Sequence, residues 1–537
     1  MPKQAPRKSG SDLLAHLLVG TLALVVIALA SSPTIALLSA MRSDLAAASE
    51  ELFHPARILL LARSLLIASL IALLSTLLAY PIARVFIARK TRSTRVLSAL
   101  MLCPIWLPPF MIYASGNLLR DPSTLVGRAI VEFATSSPDL RWVTIWAGYT
   151  IAVIGLAIWA APIAAVLIAS GWGARSGVYD DMIALEPIGR IRRALFNLRL
   201  HRVVLTRAFV LIAILMLGSA VPLHLAQLDT WSIITWRALT EHPPEQWGRV
   251  WISAAPMLII AIVGARLIRT ILSDQQRTED PIGLPPVASR SSTIAGLMIF
   301  TGAVALPLCA MLVTLDDPRS ITAFWERNAA AVTDTAVTGL LVAVAVLLVA
   351  LLSAFAFSSP SRSHRRVAIH ALTLLCVLGL MPGVLIGASI ARHGIITLDL
   401  PGLAPFWASC TRYAFVGIII GALAASSESP DRRSARIQIA GSSPRAWLIA
   451  TLPTFYIPML ATVPVVFLLA LFEIESAVLV TPPGIQSLPQ QLLSDLHYTR
   501  LEQLSAAGVN LLSLGIIFAL VASALITHGF RMKSSGN

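Results

Sequence analysis

Charge is scarce in this chain, and lysine is scarcer still. Charged residues make up 13% of the 537 positions, about half the roughly 25% of an average soluble domain. Hydrophobic residues make up 56%, and no stretch between apolar blocks is long enough to fold as a soluble domain. The only lysines are Lys3, Lys8, Lys90 and Lys533, and none follows a glycine. A P-loop needs Gly-Lys-Ser/Thr so that its lysine reaches the phosphates. The chain therefore cannot hydrolyse ATP by that chemistry. Neither H-E-x-x-H nor G-x-S-x-G occurs, and nothing reads as an enzyme's catalytic residues. Cys103, Cys309, Cys376 and Cys410 all lie in apolar segments without CxxC or Cys/His spacing. That pattern suggests neither a zinc site nor a disulfide framework, and no metal or cofactor is expected.

What the sequence does have is long apolar runs. A bilayer core needs about 20 apolar residues per helix. Candidate spans fall near 12–41, 60–88, 96–119, 143–170, 204–228 and 250–271, then near 293–315, 330–357, 367–391, 405–426, 453–480 and 506–528. The expectation is an all-α polytopic membrane protein with about twelve transmembrane helices. Lys3, Arg7 and Lys8 precede an apolar run, and Ala28-Leu29-Ala30 resembles a signal-peptidase site. The run continues to about Met41, so it reads as a retained first helix. With both termini cytoplasmic, the cytoplasmic loops carry roughly twice as many Lys and Arg as the outer loops, as the positive-inside rule demands. The net charge of +14 is thus spread over short clusters between apolar blocks, which argues against a nucleic-acid partner.

A polar, proline-containing stretch at 273–292 reads as a cytoplasmic linker. It separates residues 1–272 from 293–537 as two six-helix repeats. Each repeat has a proline-bearing third helix (Pro104, Pro108 and Pro109; Pro382) and a long basic loop before its fifth helix. Duplication is common in transporters, whose repeats rock about a central site.

The most informative loop is 433–455, RSARIQIAGSSPRAWLIATLPTF. Ser434 to Ala440 can form a short helix that Gly441 breaks. Ser442, Ser443 and Pro444 follow, Arg445 to Ala450 can form a second helix, and Leu452-Pro453 opens the next span. This loop resembles the EAA loop of ABC-transporter permeases, with Ala440, Gly441, Pro444, Trp447, Leu452 and Pro453 in matching roles. The initial Glu of that motif is absent, and the spacing from Gly to Leu-Pro is one residue short. One repeat earlier, Ala184-Leu185-Glu186 followed by Gly189 resembles a degenerate copy. After the eleventh span, Glu473 and Glu475 lead to Pro482-Pro483-Gly484 and then Leu496-His497-Tyr498. That order is similar to fused two-repeat permeases of the ferric-iron and thiamine type.

The resemblance implies the rest of a machine. Two ATP-binding subunits would dock on the cytoplasmic loops, and a periplasmic solute-binding protein would deliver the solute. The location would be the bacterial cytoplasmic membrane, and the solute ferric iron first or thiamine second. Glu473, Glu475, Pro482, Pro483 and Gly484 are candidates for a pathway or gate. On a helix Glu473 and Glu475 would lie about 200° apart and could not both face one pathway. The alternative is a six-plus-six-helix secondary transporter driven by an ion gradient. The major facilitator type would carry a Gly/Asp/Arg-rich signature between its second and third helices, and here that loop, from Arg84 to Arg92, has no Gly or Asp.

Overall fold

The computed structural model describes residues 10–40, 52–88, 91–118, 120–122, 124–140, 142–172, 189–219, 221–243, 246–275, 290–393, 401–426 and 428–534. Every regular element among them is helical. In the first half the main helices are α1 (Gly10–Ala40), α2 (Pro55–Ile87), α3 (Arg92–Leu100), α4 (Pro109–Leu118), α5 (Trp142–Trp172), α6 (Arg190–Leu200), α7 (Arg202–Gly218), α8 (Trp231–Glu241) and α9 (Ala255–Gln275). In the second they are α10 (Arg290–Phe300), α11 (Leu306–Val313), α12 (Arg319–Arg327), α13 (Ala329–Ser358), α14 (Arg362–Leu380), α15 (Gly383–His393), α16 (Ala404–Ser426), α17 (Pro430–Ala440), α18 (Pro444–Leu471), α19 (Leu488–His497) and α20 (Leu501–Ser534).

Among the described residues, eight helices are long and apolar enough to cross a membrane, or ten if each of two bent pairs is one span. This is the architecture of a multi-pass helical membrane protein. The expected fifth span is the 17-residue α7. The expected eleventh span ends at Leu471 rather than 480. Residues 276–289, most of the expected linker, lie outside the described residues.

The two bends share one cause. The pair 93–106 and α4 meets at 89°, and α14 and α15 meet at 103°. Each break falls at a residue preceding proline. Leu107 has ψ 137° before Pro108, and Met381 has ψ 148° before Pro382. Clash with the proline ring pushes the preceding residue out of the helical region.

The chain forms two compact units. The first comprises Met1–His54, Thr235–Thr278 and Ala330–Leu488; the second comprises Pro55–Ile234, Glu279–Ala329 and Pro489–Asn537. Each joins the middle of one sequence half to the outer helices of the other. In the first unit α1 packs on α14 and α15, and α9 packs on α14 and α16. In the second, α10 packs on α2, α11 on α4, and α20 on α3.

Two details show how the units are knit. Gly417 and Gly421, one turn apart on α16, bring it onto α13. A Cβ at either would lie 2.5 Å from a carbonyl oxygen, that of Val346 or Ala350. Small residues at this spacing let helix backbones approach closely in lipid. In the second unit the Ser64 hydroxyl of α2 accepts the N–H of Trp231 at 2.9 Å. In the first unit the Thr335 hydroxyl of α13 accepts the N–H of Leu488 at 2.9 Å. Both N–H groups open a helix and lack an intrahelical acceptor, so the same cap recurs in both halves of the sequence.

Candidate functional site

Two features of the first unit stand out: an elbow between α17 and α18, and a buried charge cluster beyond the far end of α18.

The elbow turns at Gly441. This residue has φ 57° and ψ −127°, a region that side chains other than glycine's hydrogen enter only at a cost. Its N–H closes the last turn of α17 by donating to Ile437 O at 2.9 Å. Ser443 then caps α18 by accepting the N–H of Ala446, and Pro444 occupies the first turn. The local chemistry of glycine, serine and proline is enough to dictate this turn. Ala440 is the last residue of α17. One expectation fails here: Leu452-Pro453 does not open a new helix. Helix α18 runs unbroken from Pro444 past Pro453 to Leu471. Neighbouring helices in a membrane protein can re-satisfy the backbone groups a proline frees.

The elbow stands on a fixed base. Arg436 is buried and binds Glu428 with two bonds, Nε to Oε1 at 2.8 Å and Nη2 to Oε2 at 3.0 Å. Its Nη2 also donates to Ser358 O at 3.1 Å, and Arg433 Nη2 donates to Phe357 O at 2.9 Å. Two guanidinium groups of α17 thus cap the last carbonyls of α13, where cations are favoured. Trp447 is buried, with ring centroids 5.4 Å from both Phe355 and Phe455. Ser442 donates from its hydroxyl to Asp12 in the first turn of α1. Against this base Ile439 is 87% exposed and Ile449 67% exposed.

The first half differs. Glu186 lies outside the described residues. Gly189 sits exposed just before α6, and no break interrupts the helix that follows. The turn between α6 and α7 falls instead at His201, with φ −95° and ψ 7°. Gly189 directly precedes α6, and the residues before it, 173–188, lie outside the described residues. His201 is buried, and burial together with the nearby Arg84 guanidinium pushes its imidazole down to about 4.

The charge cluster corrects the reading of Glu473 and Glu475. Helix α18 stops at Leu471, Glu473 lies in irregular backbone, and residues 475–480 form turns. A helical-wheel angle does not apply there, and both carboxylates converge on one guanidinium. Arg412 Nε lies 3.2 Å from Glu473 Oε2, and Nη2 lies 3.0 Å from Glu475 Oε2. Tyr413 donates from its hydroxyl to Glu473 Oε2, and the N–H of Ser476 donates to Glu473 Oε1 at 2.6 Å. Arg412 Nη1 is buried without a hydrogen-bond partner among the described residues.

Glycines make room for this arrangement. A Cβ at Gly383 would lie 1.4 Å from Arg412 Nη1, and one at Gly387 would lie 2.6 Å from Ser476 O. The bent half-helix α15, α16 and the 473–480 segment therefore close around two acids and one base. Pro482, Pro483 and Gly484 follow as a turn, with Ile485 N–H donating to Pro482 O at 3.2 Å and Gly484 at φ 86°. The positive φ at the third position is why glycine stands there.

Arg412, Tyr413, Gly383 and Gly387 escaped the sequence reading. An arginine inside an apolar span is itself a functional signal, and Arg412 lies within 405–426. Among the described residues, no three His, Cys, Asp or Glu side chains stand close enough to hold a metal ion. Compared with family models, curated proteins and solved structures, the chain matches none of them.

Proposed function

We propose that the chain is the fused permease subunit of an ATP-binding-cassette importer in the bacterial cytoplasmic membrane. The observation that carries this reading is the elbow: a glycine-specific turn, two exposed isoleucines, and an ionic and aromatic base beneath them. A rigid apolar knob on a basic loop is a shape a partner can push. In this reading about twelve helices cross the bilayer with both termini cytoplasmic. The expected fifth and eleventh spans, α7 and α18, complete that count. Two ATP-binding subunits dock on the cytoplasmic loops, since the chain has no P-loop of its own. A periplasmic binding protein delivers the solute, ferric iron as first choice and thiamine as second.

ATP binding closes the partner dimer and biases the helices between two packings. The Arg412, Glu473 and Glu475 cluster serves as a gate in that exchange. Parting Arg412 from Glu473 and Glu475 would expose carboxylates, which suits passage of a cation. The same buried cluster is also what a gradient-driven secondary transporter would need, so energy source decides between the two readings. Proteoliposomes holding the purified chain are loaded with each solute under proton and sodium gradients, with and without the cognate ATPase. Uptake only with ATPase and ATP is expected. Gradient-driven uptake by the chain alone would replace this reading with the secondary transporter.

A further inference from the structure

A cavity of about 580 Å³ opens within the second unit, lined by Tyr113, Asn117, Arg120, Asp121, Thr144 and Gln227 among others. Small-molecule sites typically span roughly 300–1,000 Å³ and combine apolar walls with a few placed polar groups. The placed group here is Arg120. Its Nη1 donates to Asn117 Oδ1 at 2.9 Å and its Nη2 to Thr144 O at 2.8 Å. Gly148 provides the floor, because a Cβ there would lie 2.8 Å from Nη1.

These partners are all neutral oxygens. They fix the direction of the guanidinium fork without cancelling its charge. A planar fork held in one orientation matches a carboxylate or phosphate group edge on, and with five N–H donors it has capacity left after these bonds. Gln227 contributes a second sign of a built site. It holds a non-glycine residue at φ 60° on the cavity wall, and such strain gathers at ligand sites. Asp121 lines the same cavity, which works against a doubly charged anion.

We infer that this cavity binds a group with one negative charge shared by two oxygens, a carboxylate or a phosphodiester, anchored on Arg120. A free organic acid and the headgroup of an anionic lipid share that chemistry. The inference stands apart from the transport reading, since binding needs neither ATP nor a partner subunit.

The full-length protein is purified and placed in phosphatidylcholine or phosphatidylglycerol nanodiscs. Benzoate and dimethyl phosphate are the soluble probes, read by thermal shift. Bound lipid is read by native mass spectrometry. Saturable stabilisation by a soluble probe in phosphatidylcholine discs supports the site and assigns a free solute. Retained phosphatidylglycerol supports it and assigns a lipid. Asn117→Asp sets a carboxylate against Arg120 with little change in shape, so it should weaken either ligand at least tenfold while the unliganded Tm is kept. Gly148→Ala, which pushes the guanidinium off its floor, should weaken it as well. No binding of any probe or lipid to the wild type, or equal binding by Asn117→Asp, would overturn the assignment.

Discussion

Replacing Gly441 tests the elbow at its most particular point. The space around it is open, with no atom within 4 Å of an added Cβ, so a substitution pays only through its backbone. At φ 57° and ψ −127° that strain is about 1–3 kcal/mol. The base resists more strongly: breaking a buried ion pair such as Arg436–Glu428 costs about 3–5 kcal/mol. The turn at 441–443 should therefore yield while the base holds, and Ile439 should move with it. The variants Gly441→Ala and Gly441→Val should both stay folded, with near wild-type melting in detergent. Both should bind the ATPase about 5- to 150-fold more weakly, the span of that strain at about 1.4 kcal/mol per tenfold. Gly189→Val is the control, since Gly189 has open space around it and no positive φ. Affinity is measured with purified ATPase, and uptake at matched membrane levels. Unchanged affinity in Gly441→Ala, or an equal loss at Gly189, would refute the argument.

Arg412→Met should strip two buried carboxylates of their cation and destabilise the first unit by about 3–5 kcal/mol. Adding Glu473→Gln and Glu475→Gln should restore the Tm but not uptake, and a triple variant that transports normally would remove the cluster from the gate. His201 is neutral in the fold down to about pH 4 but gains a proton near pH 6.5 when unfolded. Its contribution to stability is thus full above pH 6.5 and lost as pH falls towards 4. Melting at pH 7 and pH 5 should show a smaller acid loss in His201→Gln than in the wild type. Ser64→Ala and Thr335→Val each remove one helix cap and should cost a similar amount, about 0.6–1 kcal/mol, in detergent melts. Reporter fusions within 273–292 and after Arg531 should both report cytoplasm, and an outer signal at either would break the twelve-span topology.

The spans were legible because crossing a membrane is a local demand on one stretch of chain. Which spans pack together is not local. The polar stretch at 273–292 suggests two consecutive halves, yet each compact unit joins the middle of one half to the outer helices of the other, and hydropathy carries no record of that exchange. The elbow was legible for the opposite reason, since Gly441, Ser443 and Pro444 act within a single turn. Pro453 misled because its effect depends on neighbours: in water it would mark a helix boundary, but α18 carries it in its interior. Glu473 and Glu475 misled because the wheel assumes a helix, and the helix ends at Leu471. Their shared partner sits sixty residues upstream on α16, and only the rarity of an arginine inside a span pointed to it.

The elbow and the cluster are joined by one element. Helix α18 begins at the elbow, where Ser443 caps it and Trp447 seats it on Phe355. It ends at Leu471, directly before Glu473 and Glu475. Its 28 residues span about 42 Å at 1.5 Å per residue, longer than the roughly 30 Å bilayer core. In the proposed importer, a push on the elbow would reach the carboxylates along this one helix, through the turn at 441–443. Pro453, Pro458 and Pro464 lie along it, and each removes a backbone hydrogen bond. They make it a helix that can bend at set points between two anchored ends. The far anchor is close-packed, since Gly383 and Gly387 leave no space between α15 and the turns. Bending of α18 cannot be absorbed there by compression. In the proposed exchange such bending would shift the half-helix α15 or part Arg412 from Glu473 and Glu475.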